Sequence, residues 1–413
     1  MLRSVFGVWL AWLLCASGAA QSVSQLESTA RQAWASGDVN TALTAYQKLT
    51  ELDPSSALYQ DQTGFLLASS RRPSEAIVHF QKATRLNPKM ASAWFHLGAA
   101  LWIDGDKQAG LTNLEKAAAL EPTNGEYLFR LGIAYSDLQR DRQAIVELNR
   151  AAKLTPANPA LWIALGTSCQ RQKQWTQAKT AYHHALLLTP ADNNLRNSYA
   201  TVLVNSGDFA GGLTEYKRIL SSDPANYHVQ VNVGYALIAA GKYKEAVEQL
   251  SKVIRVHPEA ADAHYNLGVA YKQSDDLPHA RQELEQTIKL DPSLAEAHYL
   301  LALAYVDGGD LNQAVARLRT AVSNKPTYTD AWFELGTILK QQGDVNGAIE
   351  ALRKSTALDP TDAGAFNTLG LLLRRKGDVA DAKVAFDKAA ALRAADANAK
   401  QEALREGAAR TTH

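Results

Sequence analysis

Ten of the thirteen prolines in this sequence recur at a constant interval of 34 residues. They are Pro54, Pro88, Pro122, Pro156, Pro190, Pro224, Pro258, Pro292, Pro326 and Pro360. The next place in the series, residue 394, is an alanine. A fixed period of this length is typical of arrays in which one supersecondary unit recurs and packs against its neighbours along the chain. The interval therefore constrains the fold more than any other feature of the sequence.

Taking each proline as position 32 of a 34-residue repeat gives eleven tandem repeats over residues 23–396. They begin at residues 23, 57, 91, 125, 159, 193, 227, 261, 295, 329 and 363. Positions 8 and 20 hold only Gly or Ala, and position 24 always holds a large apolar residue. Because small residues let two helices approach closely, these positions predict a tightly packed helical hairpin in each repeat.

The hydrophobic periodicity predicts two helices in each repeat, over about positions 2–14 and 17–30. Gly often stands at position 15, where it can take the left-handed conformation that ends the first helix. Asp often follows, as in Gly105-Asp106, where its side chain can cap the second helix. Proline at position 32 then ends the second helix and marks the next repeat.

This pattern resembles the tetratricopeptide repeat family. Segments 93–98 (AWFHLG) and 331–336 (AWFELG) carry the family's W-x-x-L-G opening, and the alanine, bulky residue and proline follow at its offsets. Repeats 1, 2 and 6 depart from it, with Leu26, Gln60 and Arg196 at position 4. The resemblance implies an all-α fold, a right-handed superhelical solenoid of eleven helix-turn-helix repeats. A local irregularity is expected in repeat 6.

Both ends of the chain lie outside the repeats. Residues 1–20 combine Arg3, the apolar run 5–14 and small residues up to Ala20, a pattern that predicts a secretory signal peptide. The run is shorter than the ~20 residues that span a bilayer. An uncleaved anchor is one alternative, and a lipoprotein acylated at Cys15 is another, although the preceding leucine is large for that signal. Residues 397–413 are expected to form a C-terminal capping helix and tail.

The sequence also argues against catalysis by this chain. Lys plus Arg number 43 and Asp plus Glu 42, so the formal net charge is only +1 and gives no overall attraction to nucleic acid. The repeats leave only residues 1–22 and 397–413, and no phosphate-binding loop, GxSxG or HExxH motif occurs. We expect a non-enzyme without cofactor, metal or nucleic-acid partner, exported to the periplasm or secreted, with no membrane span in the mature chain.

Three sets of side chains that could bind or react are better explained by a structural role. His264 and His298 both occupy position 4 and could share a metal, but they are better explained as polar replacements for the tryptophan of other repeats. Cys169 occupies position 11, a core position, so it is expected to be a small buried hydrophobic residue. The basic segment 374–376 is interpreted as a solvated helix end.

The family resemblance places positions 2, 5, 9, 12 and 13 of each first helix on a concave, ligand-binding face; we call these the groove positions. Positions 5 and 9 are mostly apolar or aromatic in repeats 3–5 and 7–10, and the polar repeat 6 separates the two stretches. The predicted protein-binding residues are Phe95, Phe129, Ile133, Ile163, Tyr235, Tyr265, Tyr299, Leu303 and Phe333. Two interpretations stay open: these side chains bind a ligand, or they only pack between successive first helices.

The predicted function is a non-catalytic scaffold or adaptor that binds a protein or peptide segment in this groove. The lysine and asparagines with which some family members hold a C-terminal carboxylate are absent from the corresponding positions. An accessory subunit of an envelope enzyme, or of a secretion or assembly complex, is the alternative. A stand-alone enzyme and a glycan-binding protein are weaker hypotheses. The sequence does not indicate whether the chain self-associates.

Overall fold

The computed structural model describes the backbone of residues 23–410 and the side chains as far as Gln401. The predicted signal peptide lies outside the described residues. Within them the regular structure consists of 22 helices and no strand, so the prediction of an all-α chain is confirmed. None of these helices has the length and apolar character needed to cross a membrane.

The helices belong to two compact units, which meet in sequence between Ser206 and Gly207. We call them the N-terminal unit and the C-terminal unit. The N-terminal unit contains α1 (23–35), α2 (Val39–Leu52), α3 (Ala57–Ser69), α4 (Pro73–Leu86), α5 (Ala91–Asp104), α6 (Lys107–Leu120), α7 (Gly125–Asp137), α8 (Asp141–Leu154), α9 (Pro159–Arg171), α10 (Trp175–Leu188) and α11 (Asn193–Asn205).

The C-terminal unit continues the same alternation of helices. It contains α12 (Phe209–Ser222), α13 (Tyr227–Ala239), α14 (Tyr243–Val256), α15 (Ala261–Gln273), α16 (Leu277–Leu290), α17 (Ala295–Asp307), α18 (Leu311–Asn324), α19 (Thr329–Gln342), α20 (Val345–Leu358), α21 (Ala363–Lys376) and α22 (Val379–Arg410). Every odd-numbered helix begins at the predicted first residue of its repeat.

The turn inside each hairpin has the same backbone conformation throughout. The predicted glycines at position 15 all have positive φ, for example 102° at Gly105. The four repeats without glycine there place Arg71, Gln139, Lys173 and Asp275 in the same left-handed region, with φ between 55° and 62°. Side chains adopt this region at a cost of roughly 1–2 kcal/mol. Packing of the hairpin, and not glycine alone, therefore fixes the turn.

Small residues allow the two helices of a hairpin to touch. A Cβ atom added to Gly98 would lie 2.9 Å from the carbonyl oxygen of Gly110, at position 20 of the same repeat. On Gly132 it would lie 2.6 Å from Cγ of Leu148, at position 24. The predicted close approach at positions 8, 20 and 24 is thus confirmed.

A side-chain hydrogen bond links each of several first helices to the proline before it. The indole nitrogens of Trp94, Trp162 and Trp332 donate to the proline carbonyl six residues earlier, at 2.9, 2.7 and 2.9 Å. Nε2 of His264 and of His298 makes the corresponding contact at 3.1 Å. Their interpretation as polar replacements for tryptophan is confirmed. Across the described residues, no three His, Cys, Asp or Glu side chains form a group that could hold a metal.

The sequence predicts a local irregularity in repeat 6 and a capping helix at the C-terminus. The helices of repeat 6, α11 and α12, have the usual bounds, and the division between the compact units falls in the turn between them. The last helix, α22, continues well past the last repeat. However, residues 393–401 are all exposed, so this described part of the helix does not cover the last hairpin. Residues 374–376 are exposed at the end of α21, as predicted.

Candidate functional site

The N-terminal unit contains a cleft of about 470 Å³ on the first helices of repeats 2–4. The groove-position side chains that line it are Phe65, Ala68, Phe95, Ala99, Trp102, Ile103, Glu126 and Ile133. We call it the apolar cleft, because aliphatic and aromatic groups make up most of this lining. Two of the predicted binding residues, Phe95 and Ile133, therefore meet in one site.

The rings of this cleft pack on neighbours and also face the opening. Phe95 is half-buried and stacks on Tyr127, with ring centroids 4.6 Å apart. Phe65 meets Trp34 edge to face at 5.3 Å. In contrast, Ile103 is 76 % exposed, although it is a large apolar residue. The two interpretations of the groove aromatics are thus compatible here, since one ring can support its neighbour and still offer a face to a ligand.

A buried carboxylate stands behind the apolar cleft. Asp61 is only 1 % exposed, and its Oδ1 lies 2.8 Å from Nδ1 of His96, whose ring lines the cleft. This contact orients the imidazole and leaves Nε2 as the nitrogen that a ligand could meet. The hydroxyl of Ser92 donates to the other carboxylate oxygen at 3.4 Å. Because Ser92 contacts the aspartate and not the histidine, this trio lacks the nucleophile-to-base contact of serine hydrolases.

The remaining predicted residues of the N-terminal unit lie deeper. Phe129 is 7 % exposed and belongs to the hydrophobic core, so of the two interpretations, packing between helices explains its position. Ile163 is half-buried against the same core. Cys169 is fully buried, and burial raises the pKa of its thiol to about 11. It stays protonated at neutral pH, and its predicted place as a small buried residue is confirmed.

The C-terminal unit has a different cleft, of about 530 Å³, at the starts of α13, α15 and α17. We call it the acidic cleft. Its lining includes Tyr227, His228, Glu259, Asp262, Tyr265, Asp291, Leu294 and Glu296. Of the predicted binding residues only Tyr265 is part of it. Sequence reasoning missed Glu259 and Asp291, because they come from the loops after second helices and not from the groove positions.

The other predicted residues of the C-terminal unit lie along its first helices. Tyr299 and Phe333 are half-buried against the core, and burial raises the pKa of Tyr299 to about 12. Leu303 is half-buried as well. Tyr235 is 37 % exposed. These side chains line neither the apolar cleft nor the cleft at the starts of α13, α15 and α17.

Comparison with protein families finds matches along both units. A model described as a TPR repeat matches residues 234–275. Two models described as tetratricopeptide repeats match residues 66–111, 271–328 and 299–363, and residues 125–158. No curated protein matches the chain.

Several solved structures are similar to parts of the chain. The crystal structure of MamA is 26 % identical, covers 40 % of this chain and 97 % of its own, and has a TM-score of 0.38. The human IFIT1 dimer with m7Gppp-AAAA is 16 % identical and covers 82 % of this chain and 90 % of its own, with a TM-score of 0.42. Naa15/Naa10 bound to HypK-THB is 15 % identical and covers 89 % of this chain and 68 % of its own, with a TM-score of 0.43.

Proposed function

Because this chain belongs to the tetratricopeptide repeat family, we propose that it is a non-catalytic scaffold that holds an apolar segment of a partner protein in the apolar cleft. The observation that carries this proposal is the exposure of Ile103 beside the half-buried rings of Phe95 and Trp102. Apolar surface of this kind, gathered in a cleft, is typical of protein-binding sites.

The occupant that fits best is an amphipathic helix or an extended segment with apolar anchors. Such segments bind grooves through a few apolar side chains that repeat along the segment. At the back of the cleft, His96 supplies a polar nitrogen for one hydrogen bond, and Asp61 fixes its orientation. We further propose that the chain acts in the periplasm or outside the cell, since residues 1–20 have the pattern of a secretory signal. No nucleic-acid partner is part of this proposal.

The proposal is tested by Ile103→Asp, which places a charge in the cleft at a largely exposed side chain. The matched control is Val146→Asp, an exposed apolar side chain (56 %) on the second helix of repeat 4. Partners captured from the cell envelope are identified, and the affinity of the purified partner is then measured by titration. We expect Ile103→Asp to weaken binding about tenfold or more, because central apolar anchors contribute most of the binding energy.

Equal affinity of both variants would show that the apolar cleft is not the binding surface. The identity of the captured protein also distinguishes a general scaffold from an accessory subunit of a larger complex. An enzyme or a secretion component would indicate an accessory subunit, whereas a set of structural proteins would indicate a general scaffold. Cleavage of the predicted signal is checked by sequencing the N-terminus of the exported chain, which is expected to begin directly after Ala20.

A further inference from the structure

The imidazole of His96 is held at the apolar cleft by a carboxylate that is almost completely buried. Asp61 is 1 % exposed, and it accepts hydrogen bonds from Nδ1 of His96 and from the hydroxyl of Ser92. Because a carboxylate only accepts hydrogen bonds, Nδ1 is the donor of this contact. The other ring nitrogen, Nε2, makes no hydrogen bond to the described residues and is open to solvent. The site therefore presents one oriented polar atom.

Three phenylalanine rings surround this imidazole. The ring centroids of Phe65, Phe80 and Phe95 lie 5.2, 5.4 and 5.8 Å from the centroid of His96. All four rings line the apolar cleft. A group that reaches Nε2 from the cleft therefore lies beside flat apolar surfaces, on which aromatic side chains pack well. These surroundings favour an occupant with an aromatic body, and Nε2 favours a polar atom at the tip of that body.

The charges around the apolar cleft are paired with one another. Nε of Arg130 donates to Oε1 of Glu126 at 2.7 Å, and both side chains line the cleft. The carboxylate of Asp61 is paired with His96. A charged occupant would lose hydration here without meeting an unpaired opposite charge in the described lining, and that loss is costly. Charge complementarity therefore selects a neutral occupant.

We propose that the apolar cleft binds a tyrosine side chain of the partner segment, with its ring among the phenylalanines and its hydroxyl on Nε2 of His96. Nε2 accepts a hydrogen bond in the neutral imidazole and donates one in the protonated ring, and a hydroxyl can match both forms. Phenylalanine would cover Nε2 without giving it a partner, which is unfavourable. This inference rests on the proposed function and names the anchor that the cleft recognises, with Asp61 as the positioning residue.

The test compares p-cresol, which corresponds to the tyrosine side chain, with toluene, which corresponds to phenylalanine. Each compound is titrated into the purified chain, and its dissociation constant is measured by NMR. We expect p-cresol to bind about fivefold more tightly than toluene, which is the effect of one net hydrogen bond. The nitrogen chemical shift of Nε2 of His96 should change with p-cresol and not with toluene. This shift is measured on the wild-type chain and needs no variant.

His96→Asn removes Nε2 and keeps an amide nitrogen near the place of Nδ1, from which it can still donate to Asp61. In this variant we expect p-cresol to lose its advantage over toluene, while toluene binds as it does to the wild type. The matched control is His79→Asn. Nδ1 of His79 contacts Oε1 of Gln60 at 2.8 Å in the same unit, and this histidine is not part of the cleft lining. The control should keep the preference for p-cresol.

Equal binding of p-cresol and toluene to the wild type, or an unchanged Nε2 shift on addition of p-cresol, would overturn the proposal. So would a preference for p-cresol that persists in His96→Asn or is lost equally in His79→Asn. These outcomes are separate from the test of the proposed function, which measures the affinity of the captured partner for Ile103→Asp. If that affinity falls while p-cresol and toluene bind equally, the scaffold function stands and the tyrosine anchor is wrong.

Discussion

The two compact units build the same hairpin and present different surfaces on it. In the N-terminal unit the groove positions of neighbouring repeats carry Phe65, Trp102 and Ile103 around an apolar cleft. In the C-terminal unit the starts of the first helices carry Asp262 and Glu296 around an acidic one. The interior positions that hold each hairpin together are alike in both units, so surface residues can vary without a change of fold. Such a separation between interior positions that hold the fold and surface positions that vary is typical of repeat proteins, whose stability comes from each repeat and its neighbours.

The largest expected effect separates an aromatic residue of the core from an exposed apolar residue. Phe129 was predicted as a binding residue and lies in the core, so Phe129→Ala should lower the free energy of unfolding of the N-terminal unit by about 3–5 kcal/mol. Ile103→Ala, at the exposed edge of the apolar cleft, should change it by less than about 0.5 kcal/mol. Both are measured by urea unfolding. Equal stability of the two variants would contradict the assignment of Phe129 to packing.

The next prediction tests whether the interior is the same in both units. Gly132→Ala and Gly268→Ala each add a methyl group within 3 Å of a buried leucine side chain, in the N-terminal and C-terminal unit respectively. Each should destabilise its unit by about 1–3 kcal/mol, as overpacking does. The control is Gly364→Ala in the first turn of α21, where the added carbon would meet only a carboxylate oxygen, at 3.1 Å. A loss confined to one unit would show that the hairpin interiors differ.

A smaller effect of opposite sign is expected at the strained turns. Lys173→Gly relieves the left-handed backbone of a non-glycine residue and should stabilise its hairpin by about 0.5–1 kcal/mol. Asp275→Gly should do the same in the C-terminal unit. Conversely, Gly343→Ala should destabilise α19 and α20 by about 1 kcal/mol. Thermal unfolding curves measure all three, and a destabilising Lys173→Gly would mean that its side chain contributes more than its backbone strain costs.

The smallest expected effect concerns pH in the C-terminal unit. Burial lowers the pKa of His298, and the nearby Arg317 lowers it further. Nδ1 of this ring is buried without a hydrogen-bond partner among the described residues. The unfolded chain therefore binds a proton more readily, and stability should fall as the pH drops below the ordinary histidine pKa of about 6.5.

His298→Gln should reduce this pH dependence. Glutamine can keep the bond to the proline carbonyl, as Gln230 does at 2.7 Å. The measurement is the urea midpoint at neutral and mildly acidic pH. An unchanged slope of stability against pH in the variant would assign the effect to other groups.

Much of the fold could be predicted because the residues that determine each hairpin lie within one repeat of the sequence. The spacing of prolines and small residues located the first residue of the odd-numbered helices, and the glycines at position 15 located the turns. The sequence could not show that Arg71 and Lys173 share the left-handed turn, since their side chains favour other conformations. That geometry follows from the packing of the whole hairpin.

The candidate site was less predictable, because it depends on contacts between repeats. Phe95 and Ile133 were expected at the groove and meet in the apolar cleft. The pairing of Asp61 with His96 joins adjacent repeats at different positions, so no single repeat position reveals it. Likewise, Asp291 reaches the acidic cleft from a loop after a second helix, where only first-helix positions were considered.

The most direct test of the central claim is a photo-crosslink from the apolar cleft. A benzoylphenylalanine is introduced in place of Ile103 and, as a control, in place of Val146, and crosslinked peptides are identified by mass spectrometry. The scaffold function predicts that residue 103 crosslinks to an apolar segment of one partner protein and that residue 146 does not. Crosslinks of equal yield from both positions, or a partner segment without apolar side chains, would contradict it.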